Sequence, residues 1–308
     1  MNSWEDTSKK GAFVRKDAQF RDHSTSAETS RYHLYVSLAC PWAHRTLITR
    51  ELKGLTGAIT VDVVDHFLSH KGWTFGQHDG GMPDRVNDFV ALREVYEQTE
   101  SDYSGRITVP VFYDKHTRRI VNNESSEIIR ILNADFQEFA THREVDLYPR
   151  ERRTEIDAIN TWVYPMINNG VYKCGFARSQ AAYDHACSQL FEGLDRAEAL
   201  LRDRTWLTGD RFTEADIRLF TTLARFDLVY FTHFKCNVRR LSDYPELWDF
   251  TRAIYQHPAV KRTTDFFHIK EHYYRSHESI NPFRIVPAGP LLDFEAPTRR
   301  QLVIGPTE

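Results

Sequence analysis

The sequence predicts two domains, a mixed α/β unit followed by an all-α one, on three observations. Its 308 residues exceed what a single ordinary domain holds. Short β-rich runs alternate with helical ones as far as residue 136. Beyond Pro149 the apolar residues recur every three to four positions, the spacing of amphipathic helices.

The elements follow in order. Residues 1–30 are polar and irregular and are expected to form a peripheral arm. Residues 31–38 (RYHLYVSL) are β-rich and lead into Cys40-Pro41, then into a helix over 42–53 that should stop at Gly54. Residues 59–65 (ITVDVVD) form the second strand candidate. The stretch 66–105 is too long for an ordinary connection, so part of it should be helical, over 83–96, or functional. Residues 109–114 and 120–122 read as a hairpin around 115–118, and 125–132 (SSEIIRIL) as a helix. Strand–helix–strand, then hairpin–helix, is the order of a thioredoxin-like domain, placed at 31–140. The helical domain is placed at 148–280, with helices over 150–163, 180–202, 213–234 and 245–256. Thr213 with Asp216 three residues on predicts a capping box, and Phe212 with Ile217 a hydrophobic staple. The tail, 281–308, carries five prolines and is expected to run extended over the surface.

Composition narrows the function classes. With 41% hydrophobic residues the chain can bury a large core without disulfides. A net charge of −3 implies no polyanion-binding surface, so nucleic acid is not a favoured partner. No apolar run approaches the ~20 residues that cross a bilayer, which argues against a membrane partner. The polar, acid-bearing start has no signal-peptide pattern. Cys40, Cys174, Cys187 and Cys236 are too sparse for a disulfide framework or a zinc knuckle. A reduced, cytoplasmic protein is expected.

Three short features carry chemistry. Cys40 follows a strand, and Pro41 suits the first helical position, where its missing N–H costs nothing. The sulfur then sits at a helix N-terminus, whose donors and dipole favour a thiolate. Three residues on stands Ala43 rather than a second cysteine, so an external thiol must resolve any disulfide on Cys40. Cys174, Cys187 and Cys236 read as structural, with Cys174 the one to watch as a resolving partner. In a thioredoxin-like domain a cis proline before the third strand faces the reactive cysteine; Val109-Pro110 occupies that place. Glu124-Ser125 opens the next helix, where the terminus can take a carboxylate and Glu124 an ammonium, although a plain N-cap explains the pair equally. Together the three describe a site for glutathione, whose γ-glutamyl end bears both charges.

The segments Cys40-Pro41-Trp42-Ala43-His44-Arg45, Val109-Pro110-Val111, Asn123-Glu124-Ser125-Ser126-Glu127-Ile128-Ile129 and Phe231-Thr232-His233-Phe234-Lys235-Cys236-Asn237 resemble the glutathionyl-hydroquinone reductases, the xi class of glutathione transferases. Asn168-Asn169-Gly170-Val171-Tyr172 and His268-Ile269-Lys270-Glu271-His272-Tyr273-Tyr274 extend the likeness, which covers roughly residues 11–290. The resemblance implies a thioredoxin-like domain, an all-helical glutathione-transferase C-terminal domain and a homodimer built mainly by the helical domains. It implies deglutathionylation of glutathionyl-hydroquinones with a second glutathione and no other cofactor. By position, Cys40 is the nucleophile. Trp73, Arg106, Ile107, Thr108, Val109, Glu124 and Ser125 hold glutathione. Tyr172 acts as acid/base at the ring, and Tyr230 and Tyr273 stabilise the thiolate. A phenol remains a donor at neutral pH, which suits those roles.

Two other patterns are set aside. His268-x-x-Glu271-His272 has the spacing of a zinc-hydrolase motif but needs a further ligand, so no metal is expected. Asn123-Glu124-Ser125 is formally a glycosylation sequon. Two other functions stay open: an omega-like thioltransferase or dehydroascorbate reductase using the same thiol, and a non-catalytic transferase-fold interaction module.

Overall fold

Tyr32–Val36 (β1) is buried along its whole length, as a strand covered on both faces must be. It is the inner strand beside Thr60–Val63 (β2), with which it runs parallel, and Val111–Asp114 (β3), with which it runs antiparallel. Arg119–Asn122 (β4) closes the hairpin and the sheet, whose order is β2-β1-β3-β4. The computed structural model describes residue 8 and residues 10–78 and 80–304. They form two units that interleave in sequence: residues 17–145 with 262–276, and residues 10–16 with 146–261 and 277–304.

In the sheet-bearing unit, Pro41–Leu52 (α1) joins β1 to β2, and Leu92–Thr99 (α2) and Ser125–Ala134 (α3) complete the framework. Leu47, Ile48 and Leu52 of α1 and Ile128, Ile129 and Leu132 of α3 are buried. Each such side chain contributes about 1.5–3 kcal/mol of apolar burial. Helix α1 stops where expected. Gly54 adopts φ +65°, and any side chain there would strike Thr141.

Only part of the long connection is helical. Residues 83–91, expected to begin a helix, form a loop instead, because Asp84 captures the backbone donors a helix would need. Its carboxylate accepts the N–H groups of Val86 at 3.0 Å, Asn87 at 3.2 Å and Phe89 at 3.3 Å, and is itself fixed by the Tyr35 hydroxyl at 2.9 Å. Asp65 does the same upstream, accepting from Thr74 Oγ1 at 2.5 Å and from the N–H groups of Gln77 and His78 at 3.1 Å.

The other unit is helical: Arg153–Trp162 (α4), Gly170–Gly175 (α5), Gln180–Leu201 (α6), Glu214–Arg225 (α7), Phe231–His233 (α8), Pro245–Tyr255 (α9) and Pro258–Lys261 (α10). The capping box is present at the start of α7, where Asp216 Oδ2 accepts the Thr213 N–H at 2.8 Å; Phe212 and Ile217 are both buried. The expected continuous helices over 150–163 and 213–234 are instead interrupted by wider, π-helical turns, Val163–Asn168 and Phe226–Tyr230. The tail runs without strand or helix, and Arg300 plugs it into the unit. Its guanidinium meets Asp249 and Glu246 at 2.7 Å and the Leu201 carbonyl at 2.6 Å. A further helix, Phe266–Ser276 (α11), belongs to the sheet-bearing unit. No helix among the described residues is long and apolar enough to cross a membrane.

Candidate active site

Cys40 owes its position to the turn that leaves β1. Ser37 is wholly buried; its hydroxyl accepts the Ala39 N–H at 3.2 Å and its carbonyl the Cys40 N–H at 3.1 Å. The turn delivers Cys40 with extended backbone angles as the N-cap of α1, Pro41 following at the first helical position. The Cys40 carbonyl accepts the first helical bond, from the His44 N–H at 3.0 Å. The sulfur is half-buried, and its thiol donates to the Val109 carbonyl at 3.6 Å. The Val109–Pro110 bond is cis, so the expected facing of Cys40 and this proline is met.

The segment 106–109 is positioned by Tyr96 of α2. Its hydroxyl donates to the Thr108 carbonyl at 2.8 Å and accepts the Thr108 N–H at 3.2 Å and Asn123 Nδ2 at 3.1 Å. Tyr103 adds a bond to the Arg106 carbonyl at 2.9 Å. Tyr96→Phe is expected to cost about 1–3 kcal/mol of stability, since two buried donors lose their acceptor. It should also raise the KM for glutathione more than it lowers kcat; an unchanged KM argues against this positioning role.

Glu124 is the N-cap of α3, its Oε1 accepting Ser126 N–H at 3.0 Å and Ser126 Oγ–H at 2.8 Å. Its own N–H is held by Asn122 Oδ1 at 2.8 Å. Ser125 is buried and receives Arg45 Nη1 on its hydroxyl at 3.3 Å. Arg45, among the largest fully buried side chains, lies over the Trp42 ring at 4.5 Å and so links the start of α1 to the start of α3.

Trp73 runs beside the α2 entry, its carbonyl accepting the Leu92 N–H at 3.0 Å, and its buried ring stacks on His272 of α11 at 5.0 Å. Helix α11 is tied to this unit by His272 Nδ1 against the His66 carbonyl at 2.9 Å and by Leu68 N–H to Ser276 Oγ at 3.0 Å. Tyr273 is therefore buried in the same unit as Cys40. His268 packs edge-on to His66 at 5.5 Å, and burial lowers its pKa. Among the described residues no group of three or more His, Cys, Asp or Glu could hold a metal ion.

Tyr172 and Tyr230 lie in the helical unit, 6.0 Å apart between ring centres. Tyr230 is wholly buried at the end of the second π-helical turn. Tyr172 is half-buried in α5. The Arg15 guanidinium covers its ring at 4.7 Å and donates through Nε to Asn169 Oδ1 at 2.7 Å. Cys174, Cys187 and Cys236 are free and buried in this unit. Arg15, Tyr96 and Arg45 are the contributors that sequence reasoning missed. Arg45 lay inside a quoted motif; Tyr96 carried no local signal.

This fold, with a lone thiol opening the first helix, is that of a glutathione transferase. Residues 39–135 match the model of the glutathione S-transferase N-terminal domain and residues 180–253 that of its C-terminal domain. The chain is 50% identical over 293 residues to the glutathionyl-hydroquinone reductase PcpF of Sphingobium chlorophenolicum, across 94% of this chain and 93% of that one. It is similar in structure to glutathione-S-transferase Xi from Phanerochaete chrysosporium, with a TM-score of 0.91, 49% identity, and 93% and 95% of the two chains covered. The glutathione-bound structure of YqjG from Escherichia coli K-12 matches at a TM-score of 0.87 and 51% identity over 89% of each chain. The chain belongs to the xi class of glutathione transferases, the glutathionyl-hydroquinone reductases.

Proposed function

We propose that this enzyme reduces glutathionyl-hydroquinones to hydroquinones, releasing glutathione disulfide through a mixed disulfide on Cys40. The observation that carries the reading is Cys40 itself: a half-buried thiol at the N-cap of α1 against the Val109 carbonyl. The Cys40 thiolate attacks the sulfur of the conjugate. The carbon–sulfur bond breaks with its electron pair moving to the ring carbon, which takes a proton and leaves as the hydroquinone. A second glutathione thiolate then attacks the glutathione sulfur of the mixed disulfide, releasing glutathione disulfide and the Cys40 thiolate. The ring gains two electrons, supplied by the two glutathione sulfurs.

Trp73, Arg106, Ile107, Thr108 and Val109 hold the glutathionyl group, with its γ-glutamyl end at Glu124 and Ser125. The fixing of 106–109 by Tyr96 and of Ser125 by Arg45 supports this assignment. Tyr172 supplies the ring proton, while Tyr230 and Tyr273 donate to the thiolate. Glutathione is a co-substrate, and no other cofactor takes part. The four free cysteines fit a reduced, cytoplasmic setting, and the chain acts as a homodimer.

With glutathionyl-menadiol and excess glutathione, the enzyme is expected to release menadiol and glutathione disulfide with ping-pong kinetics. Cys40→Ala should lose about three orders of magnitude or more in turnover. Mass spectrometry should find one glutathione on Cys40 when the second glutathione is withheld. Sequential kinetics, or full activity in Cys40→Ala, would overturn the mechanism. Faster turnover of dehydroascorbate than of the conjugate would assign the thiol to omega-like chemistry.

A further inference from the structure

Cys40 follows the C-terminal end of β1. At the opposite end of that strand, within the same unit, lies a second concavity. His33, Thr60, Arg85, Asn87, Lys115 and Arg118 line a pocket of about 410 Å³. That size falls within the roughly 300–1,000 Å³ of small-molecule sites. The sheet explains the gathering. His33 of β1 pairs with Thr60 of β2, Lys115 directly follows β3, and Arg118 lies in the β3–β4 turn. Arg85 and Asn87 come from the loop that Asp84 holds.

The charges in this pocket do not balance. Arg85 is matched, donating through Nε to the buried Asp62 at 2.6 Å and through Nη2 to the Val61 carbonyl at 2.6 Å. Lys115 Nζ reaches only the Thr60 hydroxyl, at 3.5 Å, and Arg118 Nη2 only Asn87 Oδ1, at 3.5 Å. Among the described residues neither has a carboxylate within ion-pair distance. The neighbouring acids are committed elsewhere: Asp114 to Arg31 at 2.6 Å, and Asp84 to Tyr35 and the loop N–H groups. His33, 1% exposed, stands 2.7 Å from Thr60 Oγ1 through Nδ1. Its Nε2 lies 3.4 Å from Asp62 Oδ2, yet makes no hydrogen bond among the described residues. Burial, with Lys115 and Arg85 nearby, pushes its pKa down to about 3, so the ring adds no charge of its own. Arg118 also adopts φ 54°, a left-handed conformation that disfavours any side chain. A turn of this kind ordinarily takes glycine or asparagine, and an arginine there marks a placed cation.

We propose that this pocket binds a small phosphoryl-bearing anion. Two unmatched cations, a hydroxyl and an amide around one cavity suit a tetrahedral group of near-double charge. A monocarboxylate would leave one cation unmatched. Glutathione, with two carboxylates and an ammonium, carries only one net negative charge and is a poorer occupant.

The test titrates the full-length protein by calorimetry with inorganic phosphate, pyrophosphate and glucose 6-phosphate, with citrate as the carboxylate control. At least one phosphoryl probe should saturate wild type and Cys40→Ala with equal affinity, and more tightly than citrate. The double variant Lys115→Ala/Arg118→Ala should weaken that binding about tenfold or more, and Thr60→Val should weaken it less. Retained turnover of glutathionyl-menadiol in these variants separates loss of the pocket from loss of the fold. The ranking of the three probes tells whether free phosphate, diphosphate or a phosphate ester is the better occupant, and any of these supports the site. Equal binding by wild type and the double variant, citrate bound as tightly as every phosphoryl probe, or no binding up to about 10 mM would each overturn it.

Discussion

Tyr172→Phe is expected to slow turnover of a glutathionyl-hydroquinone by about 10²–10⁴-fold, the usual contribution of a placed proton donor. The loss should fall on one half of the cycle. Breaking the carbon–sulfur bond leaves negative charge on a ring carbon, which must be protonated. Thiol–disulfide exchange leaves a thiolate, which needs no such donor at neutral pH. Rapid-mixing experiments should therefore show slow loading of Cys40 from glutathionyl-menadiol in the variant. Loading from glutathione disulfide should proceed at the wild-type rate. The half-buried ring, capped by Arg15 at 4.7 Å, keeps its packing without the hydroxyl, so a general collapse is not expected. Equal slowing of both loading reactions would assign Tyr172 a structural role, and no slowing would remove it from the mechanism.

Arg300→Ala should destabilise the helical unit by about 3–5 kcal/mol, the cost of breaking a buried ion pair from one side. Asp249 is 3% exposed and keeps only Arg252 at 3.8 Å and the exposed Arg299 as charged neighbours. The Leu201 carbonyl at the end of α6 loses the same partner. Arg300→Lys should recover only part of the loss, because an ammonium cannot serve two carboxylates and a carbonyl as the planar fork does. Urea unfolding of the three proteins measures this, and a loss below about 1 kcal/mol for Arg300→Ala would refute it.

What could be read from the chain beforehand was whatever has a local cause. Cys40-Pro41 marks its own helix start, Thr213 and Asp216 mark another, and Gly54 ends α1, all through backbone geometry within a few residues. The loop at 83–91 escaped because Asp84 answers to Tyr35, forty-nine positions away, and that bond makes it a turn-former rather than a helix-starter. Tyr96 escaped for the same reason. Its role depends on Thr108 and Asn123 reaching its hydroxyl, and nothing around position 96 distinguishes it from other half-apolar helix residues. The grouping of α11 with the sheet rests on His66, Leu68 and Trp73, more than two hundred positions upstream of most of their partners. Periodicity is blind to such pairs.

The two π-helical turns carry a consequence for how this chain tolerates changes in length. A turn closed by i→i+5 bonds holds one residue more than its α-helical counterpart. Each of them stands directly ahead of, or ends on, one of the tyrosines, Val163–Asn168 before Tyr172 and Phe226–Tyr230 on Tyr230 itself. Deleting one residue inside either segment would let the helix relax to its regular form. Everything downstream would then rotate by about 100° about the axis and retreat by about 1.5 Å. Single-residue deletions there are in effect switches of facing, and insertion–deletion drift among descendants of this sequence should avoid these eleven positions while passing freely through the extended tail.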